Sequence, residues 1–289
     1  MAQTWAARRV ARSSRPFRTL LTPLKSEASV LGFNYCRLEL VLSTPFDRFR
    51  SNLPTFAVDF TESNRRKGAR TFGGRSLHYV DMTGRVINPY QTVISAITRV
   101  FELFDDDDCI PAFGFGGYPE RPLAERYFPF VKGRGCELDE VLQQYFAIAS
   151  TMELNATASF VPVIDEAIKM ATNTGRYHIL IIITNGHIDD PNMARRAIVQ
   201  ASEYPISIVM IGVGDGPWTT MREFDDQLPE RRFDNFQFVN YNTIPRGNLD
   251  NPDGGFAMQA LMEIPEQYNK ILELGLIKKQ HISRAKYQI

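Results

Sequence analysis

Short, continuous apolar runs alternate along this chain with longer segments of helical periodicity. Runs such as HILIIIT at residues 178–184 and ISIVMIGV at residues 206–213 lack the polar alternation of a half-exposed strand, so both of their faces must be covered. Between the runs, apolar residues recur at the spacing of amphipathic helices. This pattern is typical of βαβ units, and it predicts an α/β fold with a doubly wound, mostly parallel, six-stranded sheet and helices on both faces.

The individual strands and helices can be assigned from these patterns. The strand segments are TFAVDF (55–60), CIPAFGFG (109–116), RYFPFV (126–131), YHILIIIT (177–184), ISIVMIGVG (206–214) and NFQFVNY (235–241). The helical segments are 88–104, 137–154, 159–172, 192–204, 218–228 and 255–275. Pro129 cannot donate a ladder hydrogen bond, which predicts that segment 126–131 is an edge strand. We also expect Pro265 to kink the last helix.

The composition limits the kinds of partner. The 289 residues include 33 Lys plus Arg and 33 Asp plus Glu, so no overall field attracts the chain to nucleic acid. The apolar runs are much shorter than the roughly 20 residues that cross a bilayer, so we expect no transmembrane segment. Three cysteines without paired spacing argue against a disulfide framework or a zinc module and favour a reducing compartment.

The N-terminal region has a different composition from the rest of the chain. We divide the chain into a basic, disordered leader at residues 1–45, one domain at residues 46–276 and a tail at residues 277–289. The basic residues that precede the first acidic residue, Glu27, are Arg8, Arg9, Arg12, Arg15, Arg18 and Lys25. Such a leader is either a solvated basic segment or a mitochondrial targeting sequence. In the first case we expect the protein in the cytoplasm or nucleus, and in the second case in the mitochondrion.

A candidate site follows the first strand segment. Asp59, Thr61 and Ser63 stand at alternate positions where the strand passes into a loop. Ligands of open parallel sheets bind beyond the carboxyl ends of the strands, near the point where the strand order reverses. One carboxylate and two hydroxyls form a hard oxygen set of the kind that Mg²⁺ or Mn²⁺ prefers. A cation with one open position would then bind a carboxylate of a partner protein.

The sequence resembles the von Willebrand factor A domains and, within them, the copine family. The D-x-T/S-x-S pattern at residues 59–63 is the metal-ion-dependent adhesion motif of those domains. Similar stretches extend over about residues 46–275 and include FGGRSLHYV, NPYQTVISAI, IPAFGFGG, SFVPVIDEAI, ASEYPISIVMIGVGDGPW, MREFDDQLPERRFDNFQFVNY and ALMEIPEQYNKILELGL. The last three are most similar to the copine-like domain of plant RING-type ubiquitin ligases. The resemblance implies a protein-binding A-type domain.

Two positions depart from the family pattern. Ala158 stands where the family has a threonine, and Asn185 stands where it has an aspartate. The resemblance thus leaves two alternatives for the site. Either Mg²⁺ or Mn²⁺ binds to the residues Asp59, Thr61, Ser63, Ser159 and Asn185, or the site is degenerate and its first loop only bonds to itself. If the loop shifts, Thr157, Ser159 or Asp189 would supply oxygen ligands in place of those that Ala158 and Asn185 lack.

The same edge of the sheet is expected to contact a partner. We assign partner binding to Gly114, Thr157, His187 and Asp189, and the expected partner is another protein that offers an acidic side chain. His187 is the one histidine predicted at this edge, but no serine or cysteine nucleophile lies in a recognisable turn beside it. We therefore expect binding without intrinsic catalysis.

Two further functions stay open as hypotheses. In the first, the chain acts as the substrate-recognition part of a ubiquitin ligase. A RING needs about eight paired Cys and His ligands, and since no cysteine follows Cys136, we expect no RING in this chain. In the second, it is a copine-like protein that contacts membranes peripherally with calcium. The segment before Pro54 is too short for the C2 modules of copines.

Overall fold

The structure is a computed structural model, and it describes residues 54–101, 110–116, 126–132, 135–154, 158–243 and 252–277. The predicted leader, residues 1–45, lies outside the described residues, and so does the predicted tail apart from residue 277. All of the predicted strands lie wholly or largely within the described ranges.

The strands form one mixed sheet. They are β1 (Pro54–Asp59), β2 (Ala112–Phe115), β3 (Tyr127–Pro129), β4 (His178–Thr184), β5 (Ile206–Gly212) and β6 (Phe236–Asn240). Their order in the sheet is β3-β2-β1-β4-β5-β6. Only the β2–β3 pair is antiparallel among the described strand pairs. The predicted six-stranded, mostly parallel sheet is confirmed, with the proline-containing β3 at one edge.

Helices cover both faces of the sheet. They are α1 (Pro89–Phe101), α2 (Leu138–Thr151), α3 (Val161–Thr174), α4 (Pro191–Ala201), α5 (Thr219–Asp226), α6 (Pro252–Ala260) and α7 (Ile264–Glu273). Alternate residues of β4 face opposite layers: Ile181 packs in the layer of α1, α2, α6 and α7, and Ile182 in the layer of α3, α4 and α5. Both side chains are buried, and such burial stabilises the fold by about 2 kcal/mol for each isoleucine. This two-sided burial explains the uninterrupted apolar runs.

Local signals set where several helices begin. The Asn88 side chain accepts a hydrogen bond from the Gln91 backbone N–H at 2.9 Å, so it caps α1 just before Pro89. Asp190 caps α4 in the same way, through Asn192 and Met193. Within the described ranges, every helix is too short or too polar to cross a membrane.

The C-terminal helical segment is divided more sharply than the sequence predicts. Instead of one kinked helix over residues 255–275, the chain forms α6 and α7 with a turn at Leu261–Glu263 between them. Pro265 stands in the first turn of α7, where its missing N–H leaves no intrahelical bond unmade. The proline therefore begins a new helix instead of bending a continuous one.

The strand order reverses between β1 and β4. From β1 the chain proceeds to β2 and β3 on one side, and from β4 it proceeds to β5 and β6 on the other. The carboxyl ends of these two parallel strands, Asp59 and Thr184, therefore flank the crevice in which open α/β sheets bind their ligands.

Candidate functional site

Asp59 is the centre of a buried polar cluster at the β1–β4 crevice, and its side chain is fully buried. Its Oδ1 accepts a hydrogen bond from the Thr61 backbone N–H at 2.8 Å. Its Oδ2 accepts bonds from the Thr184 hydroxyl at 2.7 Å and from the Asn185 side-chain amide at 3.1 Å. The carboxyl group thus joins the ends of two neighbouring strands.

The surroundings of Asp59 have opposing effects on its charge. The pKa of Asp59 is raised, because burial has a larger effect than the hydrogen bonds from Thr61, Thr184 and Asn185, which lower that pKa. Every group that contacts the two carboxyl oxygens does so as a donor. Since donors stabilise a carboxylate rather than a carboxylic acid, these hydrogen bonds oppose the effect of burial.

Thr61, Ser63 and Asn185 complete the cluster. The Thr61 and Ser63 hydroxyl oxygens lie 2.9 Å apart. Ser63 donates to the Asn185 Oδ1 at 3.0 Å, and the Asn185 Nδ2 donates to the Thr61 hydroxyl at 3.2 Å. The structure therefore brings together the side chains of Asp59, Thr61, Ser63 and Asn185, as the sequence predicts, in a closed ring of hydrogen bonds.

Asn64 and Tyr90 also belong to this site, although neither was predicted from the sequence. The Asn64 Nδ2 donates to the Asp59 carbonyl oxygen and to the Thr61 carbonyl oxygen, both at 3.0 Å. The Tyr90 hydroxyl donates to the Asn64 Oδ1 at 2.8 Å. These bonds fix the first turn of the loop and connect it to α1. Asn64 lies in the 3-10 turn Glu62–Arg65 directly after the motif, and this proximity was its one sequence signal.

The buried His78 side chain contacts the residue that precedes this loop. Its ring stacks between Phe60 and Tyr90, with centroid separations of 4.6 and 4.2 Å. Its Nε2 donates to the Asp59 carbonyl oxygen at 2.6 Å, and its Nδ1 lies 2.9 Å from the Tyr145 hydroxyl. Burial lowers the pKa of His78 to about 4, so the imidazole is neutral at physiological pH. It is a structural donor in the core.

The two glycines at the end of β2 have different surroundings. Gly114 is buried within the strand, where an added Cβ would collide with the Phe128 ring, so a partner surface would not reach it. Gly116 has φ +86°, and a Cβ there would lie 2.5 Å from Thr61 Cγ2 and 3.0 Å from the Thr61 backbone nitrogen. Gly116 is therefore the glycine that lets β2 approach the loop that carries Thr61 and Ser63, which we call the motif loop. We had not predicted a role for Gly116 from the sequence.

The remaining predicted residues form a separate contact next to the cluster. Asp189 accepts a bond from the Ala158 backbone N–H at 2.8 Å and lies 3.4 Å from the His187 Nε2. Ser159 accepts a bond from the Val161 N–H at the start of α3. These contacts engage Ser159 and Asp189 locally and not with Asp59. Thr157 lies outside the described residues.

The side chains as arranged do not fit a divalent cation. Within the described residues no group of three His, Cys, Asp or Glu side chains converges on one point. Asp59 is the single carboxylate of the cluster, and the Asn185 amide nitrogen bridges its Oδ2 and the Thr61 hydroxyl. An amide N–H cannot ligate a cation, and Ala158 offers only a buried methyl group.

A solvent-exposed groove of about 710 Å³ adjoins the cluster. Its lining combines Ser63 and His187 from the site with Arg66, Lys67 and Arg70, and it also includes Glu62 and Asp215. Lys67 donates to the Gly216 carbonyl oxygen at 2.6 Å, and Arg70 lies against Asp215. Arg66 is exposed. The groove therefore exposes the positively charged Arg66 side chain to solvent next to the polar cluster.

Several solved structures have a low overall similarity to this chain. One is the manganese-loaded TRAP protein of Plasmodium vivax, with a TM-score of 0.47 and 14% identity over 67% of this chain and 70% of that one. Another is proximal thread matrix protein 1 from the mussel byssus with a zinc-occupied MIDAS motif, with a TM-score of 0.41 and 8% identity over 74% of this chain and 47% of that one.

Sequence relatives are much more similar. Copine family protein 2 of Caenorhabditis elegans is 44% identical over 79% of this chain, but the match takes in 3% of that protein. The E3 ubiquitin-protein ligase RGLG5 of Arabidopsis thaliana is 43% identical over 76% of this chain and 54% of its own length. The chain thus spans about half of this ligase. The copine family model matches residues 76–280, which is most of the chain, and the chain belongs to the copine family.

Proposed function

We propose that this domain is a protein-binding module that takes an acidic segment of a partner into the groove beside Ser63 and His187. The observation that carries the proposal is the position of a basic groove at the carboxyl edge of β1 and β4. That edge, at the reversal of strand order, is where open α/β sheets bind ligands. The binding requires no covalent chemistry.

The local charge supports an acidic partner. Three basic residues, Arg66, Lys67 and Arg70, and two acidic residues, Glu62 and Asp215, line the groove, although the whole chain has equal numbers of both. Lys67 and Arg70 are bonded within the domain, whereas the Arg66 side chain is exposed in the groove. A guanidinium group binds a carboxylate with two parallel hydrogen bonds. Arg66 is therefore the main contact that we propose for the partner.

The proposed contact differs from the cation-bridged contact that the motif suggests. A bridge through Mg²⁺ or Mn²⁺ would require the Asn185 amide to leave Asp59 and Thr61. Direct binding through Arg66 requires no such rearrangement. Selection of binders in the presence of EDTA therefore separates the two forms of the proposal.

A displayed library of random dodecapeptides tests the proposal. We expect peptides selected on the domain in EDTA to be enriched in Asp and Glu. Substitution of Arg66→Glu should weaken their binding by at least about tenfold, because it places like charges together. Arg176→Glu is the matched control, since exposed Arg176 lies just before the amino end of β4, whereas the groove lies at the carboxyl ends of the strands.

Two results would count against the acidic-segment proposal. The first is a set of selected peptides with no acidic enrichment, and the second is equal binding loss in the Arg66→Glu and Arg176→Glu variants. Circular dichroism and thermal melting of each variant should show that the fold is retained. Without that retention, loss of binding would reflect unfolding.

The similarity to a ubiquitin ligase supports a second candidate function. Since RGLG5 is called an E3 ubiquitin-protein ligase and is 43% identical to this chain over 237 residues, we propose substrate recognition for a ligase as the alternative. A reconstituted assay with ubiquitin, activating enzyme, conjugating enzyme and a RING subunit tests it. Adding this chain should then direct ubiquitin to a protein bearing a selected acidic peptide. If adding this chain does not increase ubiquitination of that protein, the alternative is wrong.

A further inference from the structure

We propose that the Asn185 side-chain amide takes the place of a metal ion, so that the site keeps its shape without divalent cations. We infer in addition that the single substitution Asn185→Asp would convert the cluster into a cation site. This inference concerns the buried cluster and stands apart from the binding of a partner in the groove.

The Asn185 side-chain amide uses its full hydrogen-bonding capacity within the cluster. Its Nδ2 donates to the Asp59 Oδ2 at 3.1 Å and to the Thr61 hydroxyl at 3.2 Å. Its Oδ1 accepts from the Ser63 hydroxyl at 3.0 Å and from the His187 backbone N–H at 3.1 Å. A primary amide has two N–H donors and one oxygen with two lone pairs. All four hydrogen-bonding positions are thus occupied.

The Asn185 amide nitrogen lies between two oxygen-bearing groups of the cluster. It contacts both the buried carboxylate and the first motif hydroxyl, the two groups that a cation bound here would contact. Asn185 is itself fully buried. The partial positive charge of the N–H groups therefore stabilises Asp59 in place of an ion. To enter, a cation would have to expel a buried amide that has every partner it needs.

An aspartate at position 185 would change the electrostatics of the cluster. A carboxylate oxygen at the site of Nδ2 would lie about 3 Å from the Asp59 Oδ2, and two buried carboxylates at that distance cannot both stay ionised without a cation. A divalent ion between them removes the repulsion and finds two carboxylates plus the Thr61 and Ser63 hydroxyls. With asparagine at position 185 the cluster is stable without an ion, and with aspartate it would need a divalent ion for stability.

Electron paramagnetic resonance of free Mn²⁺, titrated with the full chain, tests the inference. We expect the wild-type chain to leave the Mn²⁺ signal unchanged, and the Asn185→Asp variant to reduce that signal with a stoichiometry of one ion per chain. The variant should melt at a higher temperature in Mn²⁺ than in EDTA. The wild-type melting temperature should be the same in both.

Two control variants give the measurement its specificity. Asn269→Asp adds the same charge at an exposed position of α7, and it should not bind the ion. Adding Asp59→Asn to the Asn185→Asp variant should abolish the gained binding, because it removes one of the two carboxylates. A gain of binding that persists in this double variant would overturn the inference, since the ion would then lie elsewhere.

The wild-type measurement decides the question even if the Asn185→Asp variant does not fold. One Mn²⁺ per wild-type chain, lost in Asp59→Ala, would overturn the inference, because the amide would then have yielded its place to a cation. An unchanged Mn²⁺ signal with wild type supports it. The peptide selection in EDTA is unaffected by either result, so failure of this inference is distinguishable from failure of the proposed binding function.

Discussion

Asp59 is a buried carboxyl group whose two oxygens accept hydrogen bonds from neighbouring donors. Its side chain and its backbone carbonyl together receive donors from the motif loop, from the end of β4 and from His78. A buried carboxylate without such donors would cost several kcal/mol. The donors must therefore be held in place, and each one depends on partners of its own.

The Tyr90 hydroxyl gives a test of this dependence. Tyr90→Phe removes the donor to the Asn64 Oδ1 and leaves that buried oxygen unpaired. We expect the free energy of unfolding to fall by about 1–3 kcal/mol, measured by urea denaturation. Tyr79→Phe is the control, because Tyr79 is 41% exposed, and it should change stability by less than about 0.5 kcal/mol. Equal stability of Tyr90→Phe and wild type would contradict the role assigned to this hydroxyl.

The meeting of β1, β2 and β4 gives the site its shape. Asp59 pairs in register with Phe115 of β2, and Gly116 then turns beneath the motif loop with φ +86°. Because the next loop passes so close, the strand end accepts no side chain at this position. The backbone of one strand thereby sets the position of the hydroxyls on the next.

Gly116→Ala tests the close approach. The added methyl would lie 3.0 Å from the Thr61 backbone nitrogen, which cannot swing aside as a flexible side chain would. We expect a loss of about 2–4 kcal/mol from steric overlap and the unfavourable φ, measured by chemical denaturation. Gly84→Ala is matched, since its φ is +70° but nothing lies within 4 Å. It should lose only about 1 kcal/mol. A loss no larger in Gly116→Ala would show that the contact is unimportant.

The sequence allowed the sheet to be predicted more completely than the site. Each central strand is apolar on both faces, and that pattern depends on the strand's own residues. Asp59, Thr61 and Ser63 were also recognisable, because they are close in sequence. His78 and Tyr90 were not, since they lie 19 and 26 residues from the groups they contact and look like ordinary core residues. The approach of Gly116 to Thr61 arises only after two strands pair.

Asp225, Asp234 and Glu263, from separate parts of the chain, lie close enough to interact electrostatically. Burial, followed by the charges of Asp225 and Asp234, raises the pKa of Glu263 to about 7. Burial likewise raises the pKa of Asp225 to about 6. A carboxyl group whose pKa is higher in the folded state than in the unfolded state favours folding when it is protonated. That contribution is lost as the pH rises.

Glu263→Gln should therefore change the pH dependence of stability. The window runs from the ordinary Glu pKa of 4.5 to the raised value of about 7. Below this window, the variant and wild type should be equally stable. Above it, the variant should be more stable by on the order of 1 kcal/mol, because solvent screens a half-buried group. Urea denaturation at pH 4 and pH 8 measures this. Glu273→Gln, exposed on α7, is the control, and a constant difference between wild type and Glu263→Gln would contradict the prediction.

The proline in β3 has a consequence for how the domain behaves at high concentration. Because the Phe130 N–H donates inward to Ala112, alternation along the strand places Pro129 on the outward side. That side of a three-residue strand lacks an N–H that an incoming chain would need for a ladder. Aggregation by strand addition is therefore discouraged at this border of the sheet.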